Sequence, residues 1–175
     1  TMTSSIETGF GSRVMVGGFL LNNQLTDFAW SDVKGGLPIA NRYEPNKRPR
    51  SSMAPTLVFG PDGQPRLALG SPGGSRIIGY VAKTVMAVLD WDMSLQRAIE
   101  TPHFQNRNGA MEIEEDPNLD GIAATLIARG YDIQRPAMAS GLHGVEFIGG
   151  QYISGVDPRR EGLAVGEGNL SSDLD

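Results

Sequence analysis

Apolar residues recur at helical spacing at Ile77, Ile78, Val81, Val85, Val88 and Leu89, which predicts a mostly buried helix opening at Ser75. A short apolar run, Leu67 to Leu69, precedes it, with Gly70-Ser71-Pro72-Gly73-Gly74 between the two. Strand, glycine turn and helix start therefore follow in succession. Residues 56–59 and 66–69 flank Gly60-Pro61-Asp62-Gly63 and read as a hairpin. Upstream, residues 13–21 read as a strand interrupted at Gly17-Gly18, and the β-branched residues 1–6 as part of another. A polar loop at residues 22–27 is followed by two aromatic anchors, Phe28 and Trp30. The segment 31–55, holding Pro38, Pro45, Pro49 and Pro55, reads as one long irregular stretch. Downstream, a short helix is expected over 94–100, ending before Thr101-Pro102, and a strand over 110–114. Asp116-Pro117 should cap a helix over about 118–129 that Gly130 ends. Strands are expected at 131–134, 144–148 and 151–155, the last two joined by Gly149-Gly150. Strands, then helices, then strands favour an α+β layered domain over alternating βαβ units.

Composition narrows the function classes. At 175 residues, 39% hydrophobic and 20% charged, the chain has the size and balance of one globular domain with a real core. A net charge of −5 argues against a nucleic-acid surface, which needs concentrated Lys and Arg. The absence of cysteine excludes disulfides, thiol catalysis and Cys-ligated zinc. No apolar run approaches the roughly 20 residues of a membrane-spanning helix.

Several residues could carry chemistry. The glycine turn gathers backbone N–H groups at the positive end of a helix dipole, where an anion is favoured. It lacks both phosphate-loop patterns, G-x-x-x-x-G-K-[ST] and G-x-G-x-x-G. An oxyanion hole suits it better, and a plain strand-to-helix turn accounts for the same spacing. Ser71 with His103 or His143 would make a serine hydrolase, but there is no G-x-S-x-G elbow, and both histidines sit in polar contexts typical of solvated side chains. His and carboxylates are nowhere clustered at metal-ligand spacing. Gln24, Asp27, Ser51 and Ser52 lie in loops where polar residues are ordinary; together they could clamp an amino acid, aspartate taking the α-ammonium and hydroxyls the α-carboxylate. Lys47-Arg48 could equally be structural, and Asp157-Pro158-Arg159-Arg160 reads as a solvated or ion-paired corner.

Three stretches then act together. Residues 20–28 (LLNNQLTDF), 45–56 (PNKRPRSSMAPT) and 70–76 (GSPGGSR), with Phe10-Gly11-Ser12 and Asp157-Pro158-Arg159 in the same order, resemble the small-subunit motifs of γ-glutamyltranspeptidases. The match runs over residues 1–167 and leaves 168–175 as a tail. The resemblance implies an N-terminal-nucleophile (Ntn) hydrolase with an αββα sandwich, of which this chain is the small-subunit part. In that family a precursor cuts itself into large and small subunits. The new N-terminal threonine attacks a γ-glutamyl amide such as glutathione, its own α-amino group serves as base, and the acyl group passes to water or an amino acid. No cofactor or metal is implied; the partners are the γ-glutamyl substrate and the large subunit of the same precursor.

By motif, Gly73 and Gly74 would form the oxyanion hole, Asp27 and Gln24 would take the substrate α-ammonium, and Ser51 and Ser52 its α-carboxylate. Counting back from Phe10-Gly11-Ser12, Ser5 falls where the family has a threonine supporting the nucleophile. Glu7 falls where it often has an asparagine in the ammonium contact. The family's opening threonine, often in Thr-Thr-His, has no counterpart here. Met2-Thr3-Ser4 does not match it, so Thr1 is set aside as nucleophile, the true one is expected upstream, and this chain alone is expected to be inactive. The open sheet edge left by a missing first strand would invite a homodimer. Two other readings stand beside this one: a related acylase of the glutaryl or cephalosporin type, and a non-catalytic relative that keeps only the clamp.

Overall fold

The computed structural model describes residues 3–7 and 11–166. Thr1 and the tail 168–175 therefore lie outside the described residues. The chain divides into two compact units, Thr1–Ser52 and Met53–Asp175.

The first unit is built from short elements. Strands β1 (Met15–Val16) and β2 (Phe19–Leu20) pair antiparallel. The turn between them, Gly17-Gly18, has φ of 59° and 84°, a geometry that twists with the strands and that glycine adopts without strain. Residues 3–6 form no strand, against expectation; the Ser5 carbonyl instead accepts the N–H of Asn23 at 3.1 Å, so this backbone is committed to a loop rather than a ladder. Gln24–Asp27 forms a 3-10 turn. The stretch expected to be irregular holds a second hairpin, β3 (Val33–Lys34) and β4 (Leu37–Pro38), around Gly35-Gly36. Of the two aromatic anchors only Phe28 is buried, edge-on to Tyr43 at 5.3 Å; Trp30 is 94% exposed and takes no part in that packing.

The second unit carries the core. Strands β5 (Thr56–Phe59) and β6 (Pro65–Gly70) form the expected hairpin. Helices α1 (Ile77–Leu89) and α2 (Leu95–Glu100) follow. Then come β7 (Phe104–Asn106), β8 (Met111–Ile113), α3 (Asp120–Ala128) and β9 (Ile133–Gln134). Strands β10 (His143–Ile148) and β11 (Gln151–Val156) complete the unit. The main sheet has the order β11-β10-β6-β5 and is antiparallel throughout. Leu67 and Leu69 point from β6 into a cluster with Ile77, Tyr80, Val81, Val88, Leu95 and Ile99. Each such side chain contributes about 1.5–3 kcal/mol on burial. Ile78, counted with the apolar stripe, faces out instead.

Two glycines let α2 lie close on the sheet. Leu69, Gly144 and Gly155 are paired across three strands. A Cβ at Gly155 would stand 2.7 Å from Ile99 Cδ1, and one at Gly144 would stand 2.8 Å from Ala68 O on β6 and 3.3 Å from Leu95 Cδ2 on α2. The sheet's other face shows Leu57, Phe59 and Tyr152, each exposed.

A second small sheet contains one βαβ unit, which the order of elements did not suggest: β8 and β9 are parallel, with α3 crossing between them. The helix expected over 118–129 begins as a 3-10 turn at Pro117–Leu119, capped by Asp116 Oδ1, which accepts the Asn118 N–H at 2.8 Å. Tyr131 closes that helix, donating its N–H to Leu126 O at 3.1 Å past Gly130, and so belongs to the C-terminal turn rather than to a strand.

Glu112 on β8 ties this sheet to the start of α1. Its carboxylate accepts from Arg76 Nε at 2.9 Å and Nη2 at 3.1 Å, and from Arg107 Nε and Nη2. The Arg76 bonds first, then those of Arg107, hold its pKa down at about 2 from an ordinary 4.5. A lowered carboxyl pKa stabilises fully above pH 4.5 and is lost as the pH falls to about 2. Because the guanidiniums are partly solvated, Glu112→Gln should cost about 1–2 kcal/mol at neutral pH. Denaturant titrations across acid pH should show that the variant no longer loses this increment on acidification. An unchanged acid limb would mean the ion pairs add nothing.

Candidate active site

Each unit holds a cluster of its own. In the first, Asp27 ends the 3-10 turn that Gln24 begins, so the two side chains meet one turn apart. Gln24 Nε2 donates to Asp27 Oδ2 at 2.5 Å, and Ser5 Oγ donates to the same oxygen at 3.4 Å. Both bonds fall on Oδ2. Glu7 stands one loop away; its N–H donates to Asn23 Oδ1 at 3.0 Å, and Asn23 Nδ2 donates back to Glu7 Oε2 at 3.1 Å. The structure thus brings Ser5, Gln24 and Asp27 together, and joins Glu7 to the same loop through Asn23.

Ser51 and Ser52 follow Arg50, whose backbone is tied through Asn41 to that of Asp27. Asn41 Nδ2 donates to the Asp27 carbonyl at 2.7 Å, while Asn41 Oδ1 accepts the Arg50 N–H at 2.8 Å. One amide therefore fixes the backbone at both Asp27 and Arg50. Sequence reasoning missed Asn41, which sits in the stretch read as irregular; no motif marks it. Lys47 is structural, paired with Glu44 at 2.9 Å and donating to Ala40 O at 2.8 Å.

In the second unit, β6 ends at Gly70 and the chain turns through Ser71-Pro72-Gly73 into the 3-10 turn Gly74–Arg76 that opens α1. Gly73 has φ of 136° and Gly74 of 58°, values open to glycine and costly to other residues. As the first residues of a helix, their N–H groups have no carbonyl within the helix to bond. Among the described residues nothing else takes them. They form a small electropositive turn able to receive an oxygen anion. Gly74 is open to solvent, whereas Gly73 rests on the ring of Tyr80, where a Cβ would stand 2.7 Å from Cε2.

Ser71 has no histidine partner. Its hydroxyl donates to Pro72 O at 2.7 Å and accepts the Gly141 N–H at 3.3 Å. His143 lies on β10 with Nδ1 3.0 Å from Gly141 O. His103, expected to be solvated, is 1% exposed and corrects that reading: its ring packs 4.3 Å from Tyr80, and its Nε2 lies 2.7 Å from Ser140 Oγ. Burial first, then the charges of Lys83 and Arg159, pushes its pKa down to about 3, so the ring is neutral at physiological pH. Among the described residues no group of three or more His, Cys, Asp or Glu is placed to hold a metal, and no helix is long and apolar enough to cross a membrane.

The family model for γ-glutamyltranspeptidase matches residues 1–167. The chain belongs to the γ-glutamyltranspeptidase family. It is 34% identical over 169 residues to the glutathione hydrolase proenzyme of Bacillus subtilis (strain 168), covering 94% of this chain and 28% of that proenzyme. It therefore spans little more than a quarter of that relative's length. Acylase ACY 1 proenzyme of Pseudomonas sp. (strain SE83) is 33% identical over 148 residues, 83% of this chain and 25% of the proenzyme. The crystal structure of a mutant γ-glutamyltranspeptidase from Helicobacter pylori superposes with a TM-score of 0.76 at 32% identity, covering 91% of this chain and 92% of that one. The fold is accordingly that of the Ntn-hydrolase αββα sandwich. The helix-covered main sheet supplies one α layer and one β layer of it.

The two glycines of the turn should respond differently to a methyl group. Gly74→Ala meets only backbone strain, about 1 kcal/mol. Gly73→Ala meets strain and the Tyr80 ring, on the order of 2–4 kcal/mol. Urea unfolding of the two variants compares them directly, and equal losses would remove the Tyr80 contact from this description.

Proposed function

We propose that this chain is the small-subunit part of an enzyme that hydrolyses or transfers γ-glutamyl groups, glutathione being the type of substrate, in partnership with a large subunit of the same precursor. In this reading a threonine attacks the γ-amide carbonyl, its amino group takes the proton, and the acyl-enzyme passes to water or an amino acid. The amides of Gly73 and Gly74 receive the oxyanion. Asp27, held by Gln24, takes the α-ammonium, with Glu7 a second carboxylate near it. Ser51 and Ser52 take the α-carboxylate, and Ser5 supports the nucleophile.

The Gln24–Asp27 pair carries this reading over the acylase one. A carboxylate oxygen aimed by an amide neighbour is a receptor for a cation, and a γ-glutamyl group presents an α-ammonium where a glutaryl group presents none. The acylase relative makes a glutaryl amide the competing substrate. Turnover of γ-glutamyl and glutaryl anilides by the mature two-subunit enzyme decides it: the γ-glutamyl anilide should be the better substrate, and exclusive turnover of the glutaryl compound would overturn the proposal. Asp27→Asn should lower kcat/KM for the γ-glutamyl anilide by about 100-fold or more, as removing one partner of a desolvated charge pair does. Residual turnover of the glutaryl anilide should change little. Equal effects on both substrates would take Asp27 out of the ammonium contact.

A further inference from the structure

We propose that Tyr80, His103 and Ser140 are positioning residues for the oxyanion turn, forming a buried column that stands on Asp157 and ends beneath the backbone of Gly73. The proposal rests on the assignment of Gly73 and Gly74 as oxyanion donors.

The column is continuous. Gly73 lies against the Tyr80 ring. Tyr80 packs on the His103 ring with centroids 4.3 Å apart. His103 Nε2 lies 2.7 Å from Ser140 Oγ, and Ser140 Oγ lies 2.5 Å from Asp157 Oδ2. Tyr80, His103, Ser140 and Asp157 are each at most 2% exposed. Proton positions follow from valence. The Asp157 carboxylate can only accept, so the Ser140 hydroxyl donates to it. Ser140 Oγ must then accept from His103, which fixes the neutral ring as the Nε2–H tautomer. One arrangement satisfies both hydrogen bonds from His103 through Ser140 to Asp157.

A second branch reaches the same turn from the side. Gly141 follows Ser140, and its N–H donates to Ser71 Oγ at 3.3 Å. A Cβ at Gly141 would stand 2.8 Å from Pro72 Cγ. Leu142 N–H donates to Asp157 Oδ2 at 3.0 Å. The residues before Gly73 and the ring beneath it are thus referenced to one carboxylate. None of the three positioning residues offers the turn an N–H or a charge. Their effect is placement, and a donor displaced by about 1 Å can cost 100-fold in rate.

The test uses the mature two-subunit enzyme and two ligands: glutamate, whose side-chain carboxylate is planar, and its analogue with boronic acid in that position, which forms a tetrahedral adduct with a nucleophilic hydroxyl. Ser140→Ala should weaken the boronate about tenfold, leave glutamate within twofold, and lower kcat about tenfold with KM within twofold. Ser140→Thr, which keeps the hydroxyl, should recover most of the loss. Tyr80→Leu removes the ring and its hydroxyl while leaving the His103, Ser140 and Asp157 side chains in place, and should give the same split, should Ser140→Ala fold poorly. Ile113→Val, in the separate cluster of the small sheet, is the control for lost stability and should leave the ratio unchanged. Boronate and glutamate affinities that fall together, or neither falling, would overturn the column. A crystal structure of the wild-type adduct separates that failure from its premise: an adduct oxygen seated away from the Gly73 and Gly74 amides would overturn the oxyanion assignment and the column with it.

Discussion

The second unit depends on a buried charge. Asp157 is fully enclosed, and an ionised carboxylate without partners would cost several kcal/mol there. Burial alone would raise its pKa, yet bonds from Ser140, the N–H groups of Arg159 and Leu142, and the Arg159 guanidinium outweigh that and hold it below the ordinary value. Those partners come from separate places. Ser140 and Leu142 belong to the segment entering β10, and Arg159 lies just beyond β11. Arg159 in turn pairs with Glu114 at 2.7 Å and donates to the carbonyls of Ile99 and Glu100 at the end of α2, where a helix dipole favours a cation. Glu114 also accepts the N–H of His103 at 2.8 Å. One charge therefore fixes the ends of the main sheet, the end of α2 and the entry to the small sheet.

The two clusters are held by different physics. The aspartate cluster of the first unit is made of side-chain hydrogen bonds between short loops, with little apolar burial behind it. The glycine turn of the second unit is made by packing. Its donors are backbone groups, so their positions follow from what lies beneath the backbone rather than from any rotamer. A loop cluster of this kind can adjust to a ligand, whereas a turn set on a packed ring has little freedom to do so.

The helices and the β5–β6 hairpin were legible in the sequence because periodicity and turn residues report local structure. The small sheet was legible only in part, since a parallel pairing such as β8 with β9 leaves no local mark. The β3–β4 hairpin had a signal in Gly35-Gly36, which the surrounding prolines obscured. His103 was misread because polar neighbours such as Gln105, Asn106 and Arg107 suggest exposure, while its burial comes from Tyr80 and Ser140, both distant in sequence. Asp157-Pro158-Arg159 read as a solvated or ion-paired corner; the ion pair forms, but nothing local reveals that the aspartate is its buried end. Gln24 and Asp27 were grouped as a possible clamp by residue type, whereas the addition of Ser5 came from family resemblance, and Asn41 had no signal.

An apolar plug could fill the space between Tyr80 and Asp157 at lower energetic cost than a histidine, a serine and a carboxylate. What it would lack is a single solution. Packed apolar groups fix position by shape alone and tolerate an exchange of one apolar contact for another, because the hydrophobic effect has no direction. A hydrogen-bonded chain in a low-dielectric interior does not, because a displaced member leaves a buried donor or acceptor unpaired. Among the described residues no buried side-chain nitrogen or oxygen is left without a partner, so this chain is fully satisfied as it stands. Lys83, buried beside it, follows the same rule: its Nζ donates to Thr101 O at 2.5 Å, and burial lowers its pKa to about 8. The polar interior costs stability and returns definition of position, and the Gly73 backbone, which we propose as an oxyanion donor, rests on one end of it.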